Sequence, residues 1–267
     1  MNNLVISNTM GDTNVIRLSH TRWEKKEYAI FVEWELYEIS ARDEKFQKEY
    51  IEMLIKRITC QVKSNEVDIF SRLQINWELI HNLKGFIGQI GGWDIKNKLS
   101  ACIYSFWESK EDYDYFMGNV HDEIVSKSNQ SKTYSSINVE LFEEVNNITG
   151  LLDDFISVLR KSKFIRTALT DVKEDRINHF KEVQNQVWSP GMKTTNAMLG
   201  GKFACSSKDN HRYLTLTGWV SQEAHENYTN HLFTNLKLRA NTELDIIRIS
   251  SQHFVSEDSW KVLGDHL

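Results

Sequence analysis

Two side chains in this 267-residue chain are suited to proton chemistry: His121 and Tyr104. His121 lies in Gly-Asn-Val-His-Asp-Glu-Ile, residues 118–124. The adjoining Asp122 and Glu123 can orient the imidazole or raise its pKa, as a general acid or base requires. The same pattern also describes a solvated helix residue among charges. Tyr104 falls in the strand-like run 99–109, and a buried phenol there needs a hydrogen-bond partner. That partner is a ligand or a neighbouring strand or helix. Four flat side chains accompany the pair as candidate walls for a planar substrate: Trp77, Trp93, Trp107 and Phe116. Each also has a packing role to play. Trp107 at a strand end can pin the following helix to the sheet, and Trp77 lies on the apolar stripe of a helix.

Other chemistry is poorly served. His225 and His231 are six apart on one expected helix and face different ways, so they do not form a metal pair. Gly200-Gly201-Lys202 is too short for a phosphate loop, and no GxxxxGK[ST], GxSxG, HExxH or EF-hand pattern occurs. No metal or cofactor is expected. Cys60, Cys102 and Cys205 are odd in number and lack zinc spacing, so they read as free thiols in a reducing compartment. A net charge of −5 announces no nucleic-acid surface. No run of about 18 apolar residues marks a membrane span, and the N-terminus does not read as a secretory signal. A cytoplasmic location is the expectation.

The elements that position these residues are written twice. At one offset Gly88 meets Gly200, Trp107 meets Trp219, Ser109 meets Ser221 and Glu111 meets Glu223. Phe116 then meets Tyr228. Upstream, after a two-residue change of register, Phe70 meets Phe180 and Gln74 meets Gln184. The register changes in Trp-Ser-Pro-Gly-Met-Lys-Thr-Thr-Asn, residues 188–196, which reads as a loop carrying the only proline.

Each copy reads β-α-β-β-α-β. In the first, 53–62 is rich in β-branched residues and reads as a strand. Val67, Phe70, Leu73, Trp77 and Ile80 recur at helical spacing, with Asn65 as N-cap. Strands follow over 85–93 and 99–109. Ser109 then caps a helix with acids in its first turn, and 133–144 is the fourth strand. The second copy repeats this order, with Ser221 as the matching cap. This is the ferredoxin-like split βαβ order. A sheet with helices on one face must cover the other, and two copies in one chain cover each other.

The fold class expected is therefore α+β, with tandem ferredoxin-like repeats at 53–147 and 164–267 joined by a linking helix over 148–163. Residues 1–52 fit neither copy and read as a β-β-α extension.

Gly-Phe-Ile-Gly at 85–88, the strand ending in Phe106-Trp107-Glu108-Ser109, and Val120-His121-Asp122-Glu123-Ile124 resemble the dimeric α+β barrel superfamily, notably its antibiotic-biosynthesis-monooxygenase-like branch. Within it, residues 53–145 look most like the Bacillus YdbC-like proteins of unknown function. The resemblance implies an intramolecular dimeric barrel, with a homodimer of whole chains as a further option. It implies a small-molecule ligand, and it makes a cofactor-independent, monooxygenase-like enzyme acting on an apolar or aromatic substrate one reading. In that reading His121 and Tyr104 are catalytic, and Trp77, Trp93, Trp107 and Phe116 bind substrate. The alternative is a non-catalytic binding or structural protein; haem binding is a minor third. The superfamily's haem-degrading branch uses a strand Asn and a helical Trp and His. Those positions carry Arg57, Phe116 and Ser126 in one copy and Thr167, Tyr228 and Leu238 in the other, so that reaction is not implied.

Overall fold

The computed structural model describes residues 53–265, together with two short paired strands, Ile6–Ser7 and Thr13–Asn14. Residues 1–50 form a unit separate from 51–267. The β-β-α reading of 1–52 lies otherwise outside the described residues.

In the larger unit the elements run in an order set by alternating and helical apolar spacing. β1 is Leu54–Val62, α1 Val67–Leu73, β2 Phe86–Trp93 and β3 Ser100–Trp107. Then come α2 Lys110–Asn119, α3 His121–Ser128 and β4 Tyr134–Thr149. α4 (Phe155–Lys161) leads to β5 Phe164–Val172, α5 Ile177–Val183 and α6 Ser189–Lys193. β6 Met198–Ser206, β7 Arg212–Trp219, α7 Gln222–Tyr228, α8 Thr234–Ala240, β8 Ile246–Val255 and β9 Val262–Leu263 complete it.

The strands form one antiparallel sheet in the order β8-β5-β7-β6-β4-β1-β3-β2-β9. Within each group of four the order is that of a ferredoxin-like fold: β4-β1-β3-β2 and β8-β5-β7-β6. The groups join where β4 pairs with β6, Phe142 opposite Ser206 and Thr149 opposite Gly200. The far ends also meet. Asp94, just past β2, bridges Phe254 of β8, and the Ile95 amide donates to the His253 carbonyl at 2.9 Å. Glycine permits this approach: a Cβ on Gly92 would lie 2.1 Å from the Val255 carbonyl oxygen.

Side-chain alternation assigns the two faces. On β3, Cys102, Tyr104 and Phe106 point into a core shared with Ile55, Phe142, Ile165, Leu216 and Phe254. Trp107 points the other way, under the helices, beside Leu54, Phe86, Tyr113 and Phe116. Each such aliphatic or aromatic side chain contributes roughly 1.5–3 kcal/mol by leaving water.

Most expected elements are present, and the two serine caps are made. The Ser109 hydroxyl accepts from the Asp112 amide and Ser221 from the Ala224 amide, both at 3.1 Å. Four details differ. Glu66, not Asn65, holds the N-cap position of α1, without a side-chain bond; the Asn65 amide donates to Glu66 instead. The helix expected through Trp77 tightens to a 3₁₀ helix over Gln74–Ile80. Residues 189–193 of the expected loop are helical, because Pro190 sits in the first turn, where its missing amide is not needed. The linking helix is only α4, since β4 runs on to Thr149 to pair with β6.

Candidate functional site

The end of the inner face nearest Tyr104 is polar. Tyr104 is fully buried, its ring stacked on Phe254 at 6.0 Å. Arg57 Nε donates to the Tyr104 oxygen at 3.3 Å, and the phenol donates to Thr167 at 3.2 Å. Burial raises the phenol pKa despite Arg57 close by. Arg57 also reaches Glu140 at 2.9 Å and Gln252 at 2.6 Å. Glu140 takes a second guanidinium, Arg212 at 2.8 Å, which in turn bonds Asp171 at 2.7 Å; Arg248 closes on Asp171 at 2.6 Å. Burial raises the Asp171 pKa, but the Arg248 and Arg212 hydrogen bonds outweigh it and hold the carboxyl below its usual range. Here a cavity of about 330 Å³ opens, with Arg57, Glu140, Arg212 and Arg248 on its walls.

The opposite face of β1 and β3 carries a second, aromatic site. Lys56 follows Leu54 and Ile55 and precedes Arg57, so strand alternation sends the lysine under the helices and the arginine to the inner face. Lys56 is 6% exposed. Its nitrogen lies 5.4 Å from the Tyr113 ring and 5.6 Å from the Phe116 ring, both on α2. Its hydrogen-bond acceptor is the Met117 sulfur at 3.6 Å; among the described residues no carboxylate pairs with it. Burial lowers its pKa to about 8. Phe116 stacks on Trp107 at 4.9 Å, and Trp107 is itself sealed, its indole N–H donating to Ser105.

Of the six residues singled out in the sequence, four meet here. Phe116 touches His121 edge to face at 5.6 Å, and His121 lies 6.0 Å from Trp77. His121 Nδ1 lies 2.9 Å from Asp122, whose carboxylate is 95% exposed. The Trp77 indole donates to Gln130 at 3.1 Å. Trp93 belongs to another cluster, with Phe70 at 5.7 Å and Trp260 at 5.1 Å. Tyr104 faces the inner core, so it and His121 lie on opposite sides of β3. Lys56 and the arginine network went unread in the sequence. The available signal was two adjacent cations inside an apolar strand, each forced to one face. All three cysteines are free; burial pushes the Cys60 and Cys102 thiols up to about 12, away from thiolate chemistry. Among the described residues no group of three His, Cys, Asp or Glu is placed to hold a metal, and no helix is long and apolar enough to cross a membrane.

Residues 54–142, from β1 into β4, match a family described as "Domain of unknown function (DUF4937)". The "Uncharacterized protein YdbC" of Bacillus subtilis strain 168 is 42% identical over 94 residues, which span 34% of this chain and 79% of the relative. The chain belongs to the YdbC family. The family's matched span holds Lys56, Trp77, Trp107, Phe116 and His121 together. Solved structures extend the likeness of fold across both groups of strands. One described as a "putative monooxygenase" of Fusobacterium nucleatum has a TM-score of 0.65 at 11% identity, over 82% of this chain and 97% of that one. A second so described, from Lactobacillus acidophilus NCFM, has a TM-score of 0.61 at 12% identity, over 79% and 96%. An anthrone oxidase-like protein follows with 0.57 at 10% identity, over 82% and 98%. At these identities the likeness is one of fold.

Proposed function

We propose that this YdbC-family protein binds a small, flat, mainly apolar molecule between the sheet and helices of its first half, with Lys56 as the group that meets the ligand's acidic proton. The carrying observation is Lys56 itself: a buried amine, without a carboxylate among the described residues, beside the rings of Tyr113 and Phe116. A charge held so is costly, and a pKa of about 8 leaves a useful neutral fraction near neutral pH. General bases work best with a pKa near the operating pH. His121, behind Phe116 and Trp77, orients or relays rather than acting with Tyr104. Trp107 holds Phe116 flat as a platform.

As an enzyme the protein is cofactor-independent and monooxygenase-like. Lys56 removes a proton from an activated CH₂ of an aromatic ketone, and the carbanion reduces O₂. The CH₂ becomes a carbonyl, one oxygen atom leaves in water, and the substrate supplies all the electrons. As a plain binding protein it stops at the bound ligand.

The supporting architecture is read as two tandem copies, 53–147 and 164–267, joined through 148–163 and closing one intramolecular α+β barrel. The repeated strand order and the Asp94–Phe254 bridge support that reading. Free thiols suit the cytoplasm.

The test titrates the full chain with anthrone, 1-naphthol and cyclohexanol, followed by tryptophan fluorescence and an oxygen electrode. Saturable quenching by the two aromatics, weakened tenfold or more by Lys56→Met, is expected. Oxygen uptake with anthrone marks the enzyme; binding without uptake marks the binding protein. If neither aromatic binds, the reading is wrong.

A further inference from the structure

The second half holds a different constellation under its helices. Arg166 on β5 sits directly across from His253 on β8, so both side chains leave the same face of the sheet. His225, from α7, comes down on them: its ring lies 5.0 Å from that of His253 and 5.2 Å from that of Phe164. Trp219 and Tyr228 complete the surround, 5.0 and 5.9 Å from His225. Three basic side chains thus converge from three elements onto an aromatic wall.

Among the described residues nothing acidic or hydrogen-bonding answers them. No hydrogen bond or ion pair engages the Arg166 guanidinium, the ring nitrogens of His225 and His253, or the Tyr228 hydroxyl. Buried polar groups are nearly always paired, so His225 and Tyr228, buried and unpaired among the described residues beside the Arg166 guanidinium, suit an acceptor from outside. Arg166 and His253 are only partly buried, whereas His225 and Tyr228 are 7% and 5% exposed. Burial disfavours the Arg166 charge, although the residue as a whole is only partly buried.

The first half lacks this equipment. Lys56 is placed on β1 as Arg166 is on β5, but the residue opposite it is Leu141, and Tyr113 stands where His225 does. A guanidinium offers a planar fork of donors that matches a carboxylate; an ammonium does not.

We propose that the second half binds a small organic carboxylate, its carboxyl group on Arg166 and its apolar body against Phe164, Trp219 and Tyr228. His225 and His253 flank the anion. Burial, then His253 and Arg166, hold His225 down to about 3; burial and then Arg166 hold His253 down to about 4. The other charged groups acting on this pair are Lys96, which lowers the His253 pKa, and Asp94, which raises it. A bound carboxylate neutralises Arg166 and lets both imidazoles accept protons more easily.

The full chain, labelled with ¹⁵N-histidine, is titrated with acetate, benzoate, indole-3-carboxylate and neutral benzamide. His225→Gln and His253→Gln assign the ring signals. Benzoate or indole-3-carboxylate should shift both rings saturably and raise their pKa by a unit or more, acetate more weakly, and benzamide not at all. Arg166→Gln should weaken binding tenfold or more, and Arg166→Lys less. If no carboxylate shifts the rings, if benzamide matches benzoate, or if Arg166→Gln binds as well as wild type, the proposal is wrong. Should Arg166→Gln not fold, the benzoate and benzamide pair in the wild-type protein decides alone.

Discussion

The Lys56 ammonium lies over the ring of Phe116, 5.6 Å from its centroid, with α2 supplying the ring and β1 the charge. Its only acceptor among the described residues is a thioether. A cation–π contact of this kind returns about 0.5–2 kcal/mol, less than the several kcal/mol that burying an ammonium costs. The residue therefore weakens the fold at neutral pH.

That imbalance has a sign in pH. Lys56 has a folded pKa of about 8 against an ordinary 10.5. Between those values the unfolded chain binds the extra proton, so stability rises with pH across the window. The full relief is about 3 kcal/mol, reached above pH 10.5. Lys56→Met keeps the length and loses the charge. It should be more stable than wild type near pH 7, and the difference should shrink as pH rises through 8 to 10.5. Urea denaturation of both proteins at pH 7, 8.5 and 10 checks it; a pH-independent difference would count against the assignment.

The second half responds at the acid end. His225 drops from 6.5 to about 3 on folding, chiefly through burial and then through His253 and Arg166. Below pH 6.5 the unfolded chain takes up a proton that the folded chain refuses, so stability falls as pH falls toward 3. At pH 5 the loss is about 2 kcal/mol. His225→Phe keeps a ring against Trp219 and should remove that part of the acid loss. Thermal melts at pH 7 and 5 measure it: the wild-type Tm should fall further than that of the variant.

How much of this could be read from the chain depends on which force placed each element. Strands and caps were legible because their signals are local. Alternating β-branched residues put β1 and β5 where they are, and Ser109 and Ser221 stop the preceding strands by taking an amide three residues on. The grouping of Trp77, Trp107, Phe116 and His121 was legible because all four follow from one strand end and two helix faces. The separation of Tyr104 from His121 was equally available, since β3 alternation sends Tyr104 and Trp107 to opposite faces. What local signals do not carry is pairing at a distance. Arg57 meets Glu140 and Gln252 only because β4 and β8 come to lie near β1, and Arg166 meets His225 and His253 for the same kind of reason. Asn65 misled because an N-cap needs a side chain aimed at an amide, and the Asn65 amide bonds Glu66 instead. Helix α6 was missed because the change of repeat register over 188–196 reads as a loop, whereas Pro190 in a first turn is compatible with a helix.

The arginine network gives a mechanical prediction. Glu140 holds Arg57 of β1 and Arg212 of β7 at once, at 2.9 and 2.8 Å. Arg57 is nearly buried, so Glu140→Ala leaves a desolvated guanidinium short of its carboxylate. Breaking a buried pair costs about 3–5 kcal/mol; the 21% exposure of Glu140 reduces this to about 2 kcal/mol. Equilibrium unfolding in urea should show that loss, with Glu140→Gln intermediate because it keeps one acceptor.

The two serine caps should behave alike. Each accepts the amide three residues on at 3.1 Å. Ser109→Ala and Ser221→Ala should each cost about 1 kcal/mol. Being far from each other's partners, the two changes should add in the double variant. A clearly sub-additive double variant would mean that the helices are coupled.

The last prediction concerns the join between the halves. Residues 53–147 contain β1 to β3 and most of β4, with their helices, and so carry one complete ferredoxin-like order. Their inner face presents Ile55, Tyr104, Phe106 and Phe142, all fully buried in the whole chain against Ile165, Leu216 and Phe254 of the other half. Cut out alone, the fragment turns that face to water and loses the β6 partner of β4 and the Asp94–Phe254 bridge. Each uncovered large side chain forfeits about 1.5–3 kcal/mol, and four of them approach the total stability of an ordinary domain. The fragment should therefore dimerise through that face, re-creating the missing half with a second copy, or fail to fold. Analytical ultracentrifugation with circular dichroism tests this. A monomeric fragment that unfolds cooperatively would show that one half needs no cover. A dimer broken by Phe106→Asp on the inner face, and untouched by Tyr115→Asp on the exposed outer surface of α2, would locate the contact.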